Sequence, residues 1–549
     1  MRPVLAGLVL TALSPATTAG DLPPVTALVL EGDTVAGVGD VTTTAAVALA
    51  PDGSWAVEVD TDHADTDRDG AVLGPSGLMF REGDPVLAPA GATMDSFGPI
   101  STGLDDTGKM LWNLALDGTS GSGDDSGLYL GDVPVMQEGD VLFGDGLPVT
   151  GAPLRGIFHA HLTDDSFTGY LDALVMASLD VPDTPTTIDR ALLRVKLFHS
   201  GTLVGIEVIA QEGDVLPGQT EAVADLETSV SNVQLNRHQD VMFIADLEGD
   251  SSVDHVVYKN GVVLAQEGGA SPVPGRDWDL LSLAELSLAN NGRWAIQGSL
   301  EGDTADDDVI VIDDEVFIRE GDPVPGLPGK TIASLGTTGA SGPIFLGDNG
   351  NLLWSARWNG PAGQDKGLFL NDRLVAQIGV TTVAGGTLAE IFAVTEGYVL
   401  DEVGRRVLFR GRLDDGRDGA FLIDVGPWVS LGNGKAGVGG VTPCLVGSGD
   451  FIVGSTLALT LTDAPPNSTT NLVFGTFGLF APLKGGVLVP NADQVTLGLP
   501  VDGAGTYELT TITPPGVLPG YSVWFQHWID DPGASFGLAA SNGVRANTP

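Results

Sequence analysis

Residues 280–322 read LLSLAELSLANNGRWAIQGSLEGDTADDDVIVIDDEVFIREGD, and this stretch decides the fold class. An apolar run over 280–288 breaks at Asn290-Asn291-Gly292, and a second over 294–300 breaks in the acidic loop 301–308. A third run, 309–312, turns at Asp313-Asp314, and a fourth, 316–319, stops at Glu320-Gly321-Asp322. Asn-Gly and Asp-rich pairs tolerate the positive φ of tight hairpins, so the breaks read as turns between antiparallel strands. The unit is four short strands in sequence.

The closing tripeptide recurs as Glu31-Gly32-Asp33, Glu82-Gly83-Asp84, Glu138-Gly139-Asp140 and Glu212-Gly213-Asp214. Glu267-Gly268-Gly269 is a degenerate copy, and Gln377-Ile378-Gly379 takes the remaining place. Most intervals lie between 51 and 58 residues, and one of 74 holds an insertion at 180–189. The Asx turn recurs too: Asp52-Gly53 before Ala56-Val57, Asp105-Asp106-Thr107-Gly108 before Leu111-Trp112, and Asp348-Asn349-Gly350 before Leu353-Trp354. Residues 236–239 precede Met242-Phe243, and 401–404 precede Leu408-Phe409; the copy near Asp164-Asp165 is the least regular. Asn260-Gly261 is the clearest hairpin signal. Seven repeats of four strands predict an all-β, seven-bladed propeller over residues 21–427. The last repeat runs out after its third strand, 420–425, while 26–30 is an orphan fourth strand. Pairing those two segments closes the ring and covers edges that an open array would expose.

The bulk numbers agree. The 549 residues are 43% hydrophobic and 18% charged, with 77 Gly and 34 Pro, which suits short strands and turns. Net charge is −47, and only seven acidic and three basic residues follow Leu431. A surface this negative repels nucleic acid and anionic lipid and suits cations or basic partners. Cys444 is the single cysteine, which excludes an intrachain disulfide and reads as a small apolar residue. Arg2, the apolar run 4–13 and the small residues 16–20 read as a secretory signal peptide, 1–20; that run is too short to span a bilayer. The expectation is a monomer, secreted or held at the cell surface, with no membrane span once the signal is removed.

Past Trp428, residues 428–449 read as a Gly-rich linker and 450–549 as a small β-sandwich. Its expected strands are 457–462, 471–474, 486–489, 506–511 and 522–528, separated by Pro- and Gly-rich turns. Tyr521, Trp524 and Trp528 fit buried sandwich aromatics better than a sugar-stacking platform.

The repeats over 25–425 resemble the bacterial exported tandem-repeat family named for its Asn-x-x-Gly-x-x-Phe motif, whose members carry varied C-terminal anchor domains. Here Asp often replaces Asn, and Trp, Ile or Val often replaces Phe. The run Tyr521-Ser522-Val523-Trp524-Phe525-Gln526-His527-Trp528, with Ala540-Ser541-Asn542-Gly543-Val544, is similar to a C-terminal domain of many exported planctomycete proteins. These resemblances imply export and a surface or sorting module. They imply no activity.

Candidate chemistry is sparse. Asp65-Thr66-Asp67-Arg68-Asp69-Gly70 spaces carboxylates as a loop around a hard cation does, so Asp65, Asp67 and Asp69 are the expected Ca2+ ligands. An EF-hand needs Glu at the twelfth position, where Ser76 stands, and a solvated acidic loop is the simpler reading. His159 and His161 share a strand face as a metal pair would. There is no His-Glu-x-x-His, nucleophile elbow or P-loop. In a four-strand meander, the loops after strand two and the turns after strand four lie on one face, which concentrates the acids there. The expected function is therefore a non-catalytic binding or scaffold protein for an extracellular protein or glycan, with Ca2+ as the expected stabilising ion. The alternative is an extracellular carbohydrate-active enzyme, a glycoside hydrolase or lyase, using carboxylates of that face.

Overall fold

The computed structural model describes residues 22–50, 53–98, 109–121, 123–141, 153–164, 169–179, 189–336, 342–348, 350–402, 404–449, 451, 453–515 and 522–548. The signal segment, the Asx turn at 105–108 and the insertion at 180–188 lie outside them. The described residues are strand and turn, with short 3-10 turns such as Val230–Asn232. No helix among them is long and apolar enough to cross a membrane. The chain divides into two compact units, 22–424 and 425–549.

In the first unit, each repeat forms one antiparallel sheet in a propeller-like succession. The fifth repeat is representative, with strands Glu285–Leu288, Trp294–Ser299, Asp308–Ile312 and Glu315–Arg319 paired in that order. Its first strand is shorter than the apolar run, because the chain turns at 281–284, where Ala284 N donates to the Leu281 carbonyl (3.0 Å), between the Trp278–Leu300 bridge and Glu285. The third repeat is longest: Leu154–Asp164, Leu171–Leu179, Arg190–Leu197 and Leu203–Gln211. In the seventh repeat, Gly386–Ile391, Arg406–Leu413 and Asp418–Asp424 are joined by Val25–Leu30 from the other end of the chain. The register sets Thr26 opposite Leu422 and Leu30 opposite Gly419, as the orphan-strand argument requires.

Turn chemistry produces the hairpins. Asn260 and Gly261 both take positive φ, 51° and 77°, and Asp313 and Asp314 take 48° and 66°. The Asx turns act alike: in the described copies Gly53, Gly292, Gly350 and Gly404 have φ between 73° and 90°, and Gln239 substitutes at 66°. Consecutive copies are linked at that end. Arg237 N donates to Asn290 Oδ1 (2.8 Å), Asn290 N to Asp348 Oδ1 (2.7 Å), and Asp348 N to the Glu402 carbonyl (2.7 Å). Between sheets the core is apolar. Trp112 and Trp354, on the second strands of their repeats, are fully buried, and each indole N–H donates to a backbone carbonyl at 2.8 Å. A buried Trp without that bond would leave its donor unsatisfied.

The second unit contains a six-stranded and a three-stranded antiparallel sheet around one core that includes Leu445, Leu461, Leu472, Leu509 and Ile529. Four of the five expected strands appear with small extensions, as Thr456–Thr462, Thr469–Gly475, Gly486–Pro490 and Ser522–Asp530; the fifth, Tyr507–Ile512, is shifted by one residue. The stretch read as linker, 428–449, is a correction. Trp428–Ser430 pairs with Val544–Asn547, and Cys444–Ser448 pairs with Thr456–Thr462. Glycine density hid these strands, yet Gly447 is required where it stands: a Cβ there would meet the Trp428 ring at 2.0 Å. Trp528 is buried and Trp524 half-buried, and Tyr521 lies outside the described residues.

Candidate functional site: the acidic junctions between sheets

Each Glu-Gly-Asp landmark is the junction from one sheet to the next. Its glycine holds φ between 68° and 89° in all seven copies, a region costly for residues with a Cβ. The glycine N–H donates to a carbonyl just before or within the next sheet's first strand, as Gly83 to Met94, Gly139 to Leu154 and Gly321 to Ile332, at 2.8, 2.7 and 3.0 Å. The Asp caps the turn by accepting from the residue three before it. Leu30 N to Asp33, Gln137 N to Asp140, Gln211 N to Asp214 and Arg319 N to Asp322 span 2.8–3.0 Å. In the copy at 377–379, one of two that lack the Asp, Thr381 Oγ1 accepts from Gln377 N at 2.8 Å.

The landmark Glu turns back to the loop between strands two and three. Seven backbone bonds set the register: Glu82, Glu138, Glu212, Glu267, Glu320, Ile378 and Glu31 donate N–H to Gly70, Ser126, Arg190, His255, Asp308, Lys366 and Asp418. The residue before each acceptor is Asp69, Asp125, Asp189, Asp254, Asp307, Asp365 or Arg417. Five repeats therefore set a Glu beside an Asp. In three of them, Glu82 beside Asp69, Glu138 beside Asp125 and Glu320 beside Asp307, the neighbouring Asp carboxyl contributes to raising the Glu pKa. Burial first, and the neighbouring acids after it, raise Glu82 and Glu320 to about 7. Elsewhere the sequence supplies a cation. Arg155 pairs with Asp189 (3.2 Å), Arg357 with Asp365 (3.3 Å) and Arg412 with Asp418 (2.6 Å).

The fourth repeat solves the same problem with an imidazole. His255 Nδ1 lies 3.0 Å from Asp254 Oδ1 and 3.2 Å from Glu267 Oε2, and Nε2 lies 3.2 Å from Glu227 Oε1. Those carboxylates, Glu227 foremost, raise its pKa to about 9. Asp246 stands opposite His255 in the sheet. One oxygen each of Asp246 and Asp254 and one imidazole nitrogen lie within 4.8 Å of one another, the one such trio of His, Cys or acidic residues among those described. Sequence reading passed over this set because its members come from two strands and the loop between them; the signal was His255 next to Asp254 in a repeat whose landmark is degenerate.

The expected calcium ligands are placed differently. Asp65 and Asp67 are exposed, Asp67 N donates weakly to Asp65 Oδ1 (3.4 Å), and Asp69 is turned toward Glu82. His159 and His161 share a face as expected, with ring centroids 6.0 Å apart. His159 is 1% exposed with neither ring nitrogen hydrogen-bonded, and burial holds it neutral, lowering its pKa to about 3.

A second acidic group adjoins the seventh and first repeats. Burial raises the Glu58 carboxyl to about 8, with Glu396 and Asp60 adding to it and Arg410 opposing. Arg410 donates to the Thr44 carbonyl, and Glu396 sits in a turn at φ 63°, a costly conformation for a residue with a Cβ. Between the fourth and fifth repeats, a cavity of about 240 Å³ is lined by Leu264, Ser271, Trp278, Trp294 and Asp314 among others. Asp314 is its one carboxylate.

Residues 24–261 match a family of unknown function, DUF7453. The match runs from the strand that completes the seventh sheet to the Asn260-Gly261 hairpin of the fourth. No curated protein matches. Among solved structures, a Trypanosoma rangeli sialidase in complex with sialic acid aligns over 98% of this chain and 96% of its own. Identity is 10% and the TM-score 0.23, too low to carry any argument about fold or activity.

Proposed function

We propose that residues 21–427 form a closed ring of seven four-stranded blades, that the second unit is a β-sandwich, and that the exported chain is a non-catalytic binding scaffold for a basic extracellular protein or a glycan. One observation carries the reading. The landmark carboxylates are engaged in backbone bonds and in caps at the junctions between sheets, so the acidic rim is part of what holds the array together. The pairing of Val25–Leu30 with Asp418–Asp424 supports closure. A scaffold of this kind presents negative charge on rigid turns, which favours basic partners and fast, salt-sensitive association.

The test is a glycan array and a basic-protein panel probed with the secreted chain, each hit then assayed for turnover. Saturable, salt-sensitive binding without product supports the scaffold. Release of reducing or unsaturated sugar overturns it. A second reading, a carbohydrate-active enzyme, is favoured by the Glu58–Glu396–Arg410 group, since a carboxyl protonated at neutral pH beside a second acid is the arrangement glycoside hydrolysis uses. On that reading Glu58→Gln abolishes turnover while leaving binding intact.

A further inference from the structure

We propose that His255, Asp246 and Asp254 bind one divalent transition-metal ion of the zinc type. The inference goes beyond the scaffold reading, because it concerns a bound ion and stands or falls without any macromolecular partner.

The trio is the densest convergence of metal-binding atoms among the described residues, within 4.8 Å mutually and all three residues half-buried. A Zn2+ with ligand bonds of about 2.0–2.2 Å holds its donors no more than about 4.4 Å apart, so binding draws together any pair that stands at the 4.8 Å limit. The donor set selects the metal class. Imidazole with two carboxylates suits zinc and its neighbours, whereas calcium requires six to eight oxygens.

Two further observations point to a ligand. Asp246 Oδ1 is fully buried and accepts no hydrogen bond, an arrangement that costs free energy unless something cationic meets it. The surroundings also supply outer support. Glu227 faces Nε2 of His255, so coordination through Nδ1 leaves Nε2–H donating to a carboxylate. Glu267, 3% exposed, is oriented by Leu281 N at 2.8 Å and closes the other side.

Comparison of the repeats isolates the site. The position of His255 is Gly70, Ser126, Arg190, Asp308, Lys366 or Asp418 in the other sheets, and the position opposite it, Asp246 here, is Asp60, Ala115, Ser178, Ser299, Arg357 or Arg412. In the third, sixth and seventh sheets a guanidinium meets the junction acids. In the fourth, the residue there is one that coordinates a metal when it releases its proton.

The experiment titrates EDTA-treated full chain with ZnCl2 and with CaCl2 by calorimetry, alongside His255→Ala and Asp246→Asn, and records Co2+ absorption in each. The expected result is one Zn2+ per chain, weakened at least about tenfold by either substitution, with a visible Co2+ band lost in both variants and no displacement by equimolar Ca2+. Asp246→Asn keeps side-chain shape, so it decides the matter where His255→Ala fails to fold. Absence of Zn2+ binding, or Zn2+ binding that Asp246→Asn leaves unchanged, overturns the proposal; the first result means that His255 serves only as a counter-ion.

Discussion

Glu285 offers the sharpest test of how this structure handles charge. It stands on the first strand of the fifth sheet opposite Gln297, is 9% exposed, and has one carboxyl oxygen without a hydrogen-bond partner. Burial raises its pKa from 4.5 to about 7, opposed by a hydrogen bond from Ser231. The native state thus binds this proton more tightly than the unfolded chain does. Its contribution to stability is fully present below pH 4.5 and is lost as pH rises through about 7. The shift corresponds to about 3 kcal/mol at 1.36 kcal/mol per unit. Glu285→Gln mimics the protonated form at every pH. The variant should match the wild type near pH 4 and exceed it by about 3 kcal/mol at pH 8.5. For a unit of about 400 residues, that is roughly 4 °C in Tm. The assay is thermal unfolding followed by tryptophan fluorescence across pH 4 to 8.5, with both proteins in one buffer series. Parallel curves, with no growing gap between variant and wild type, would refute the reasoning, because they would mean that water reaches this carboxylate.

His159 titrates in the opposite sense: its depressed pKa stabilises the fold above pH 6.5 and costs it as pH falls toward 3, so His159→Leu should remove about 4–5 kcal/mol of acid sensitivity, read as a lower acid-unfolding midpoint. Removing residues 22–30 should expose the edge of Asp418–Asp424 and yield dimers or aggregates on size exclusion, whereas an intact monomer of unchanged Tm would contradict closure by that strand. Gly321→Ala and Gly379→Ala separate two costs at equivalent turns. Gly321 has no neighbour nearer than 3.7 Å, so only its φ of 84° is penalised, by about 1 kcal/mol. At Gly379 an added Cβ meets the Gly363 carbonyl at 2.2 Å, so urea denaturation should place that loss well above the first.

Much of the fold was legible because repetition turns weak local signals into a strong one. One Asn-Gly is a turn; seven Asx turns alternating with five Glu-Gly-Asp sites and two degenerate copies predict strand count and order. The orphan strand at 26–30 could be assigned to its partner because counting alone left one strand over at the start and the last repeat one strand short. Linker glycines misled for a related reason. Gly447 and its neighbours lower local strand propensity, and only the Trp428 ring packed against them explains why they are strand. The site was less legible. Spacing along one loop singled out Asp65, Asp67 and Asp69, but alternation along a chain does not make side chains converge, and Asp69 turned to Glu82 across the junction.

By itself, then, the sequence determined an acidic array of four-stranded repeats and the strand that completes its last sheet, since turn chemistry and hydrophobic runs act locally. Which carboxylates meet and which gather around His255 were decided by tertiary structure. Those encounters join strands of one sheet to the loops and turns at its acidic end, and a difference of one position in register would separate every pair.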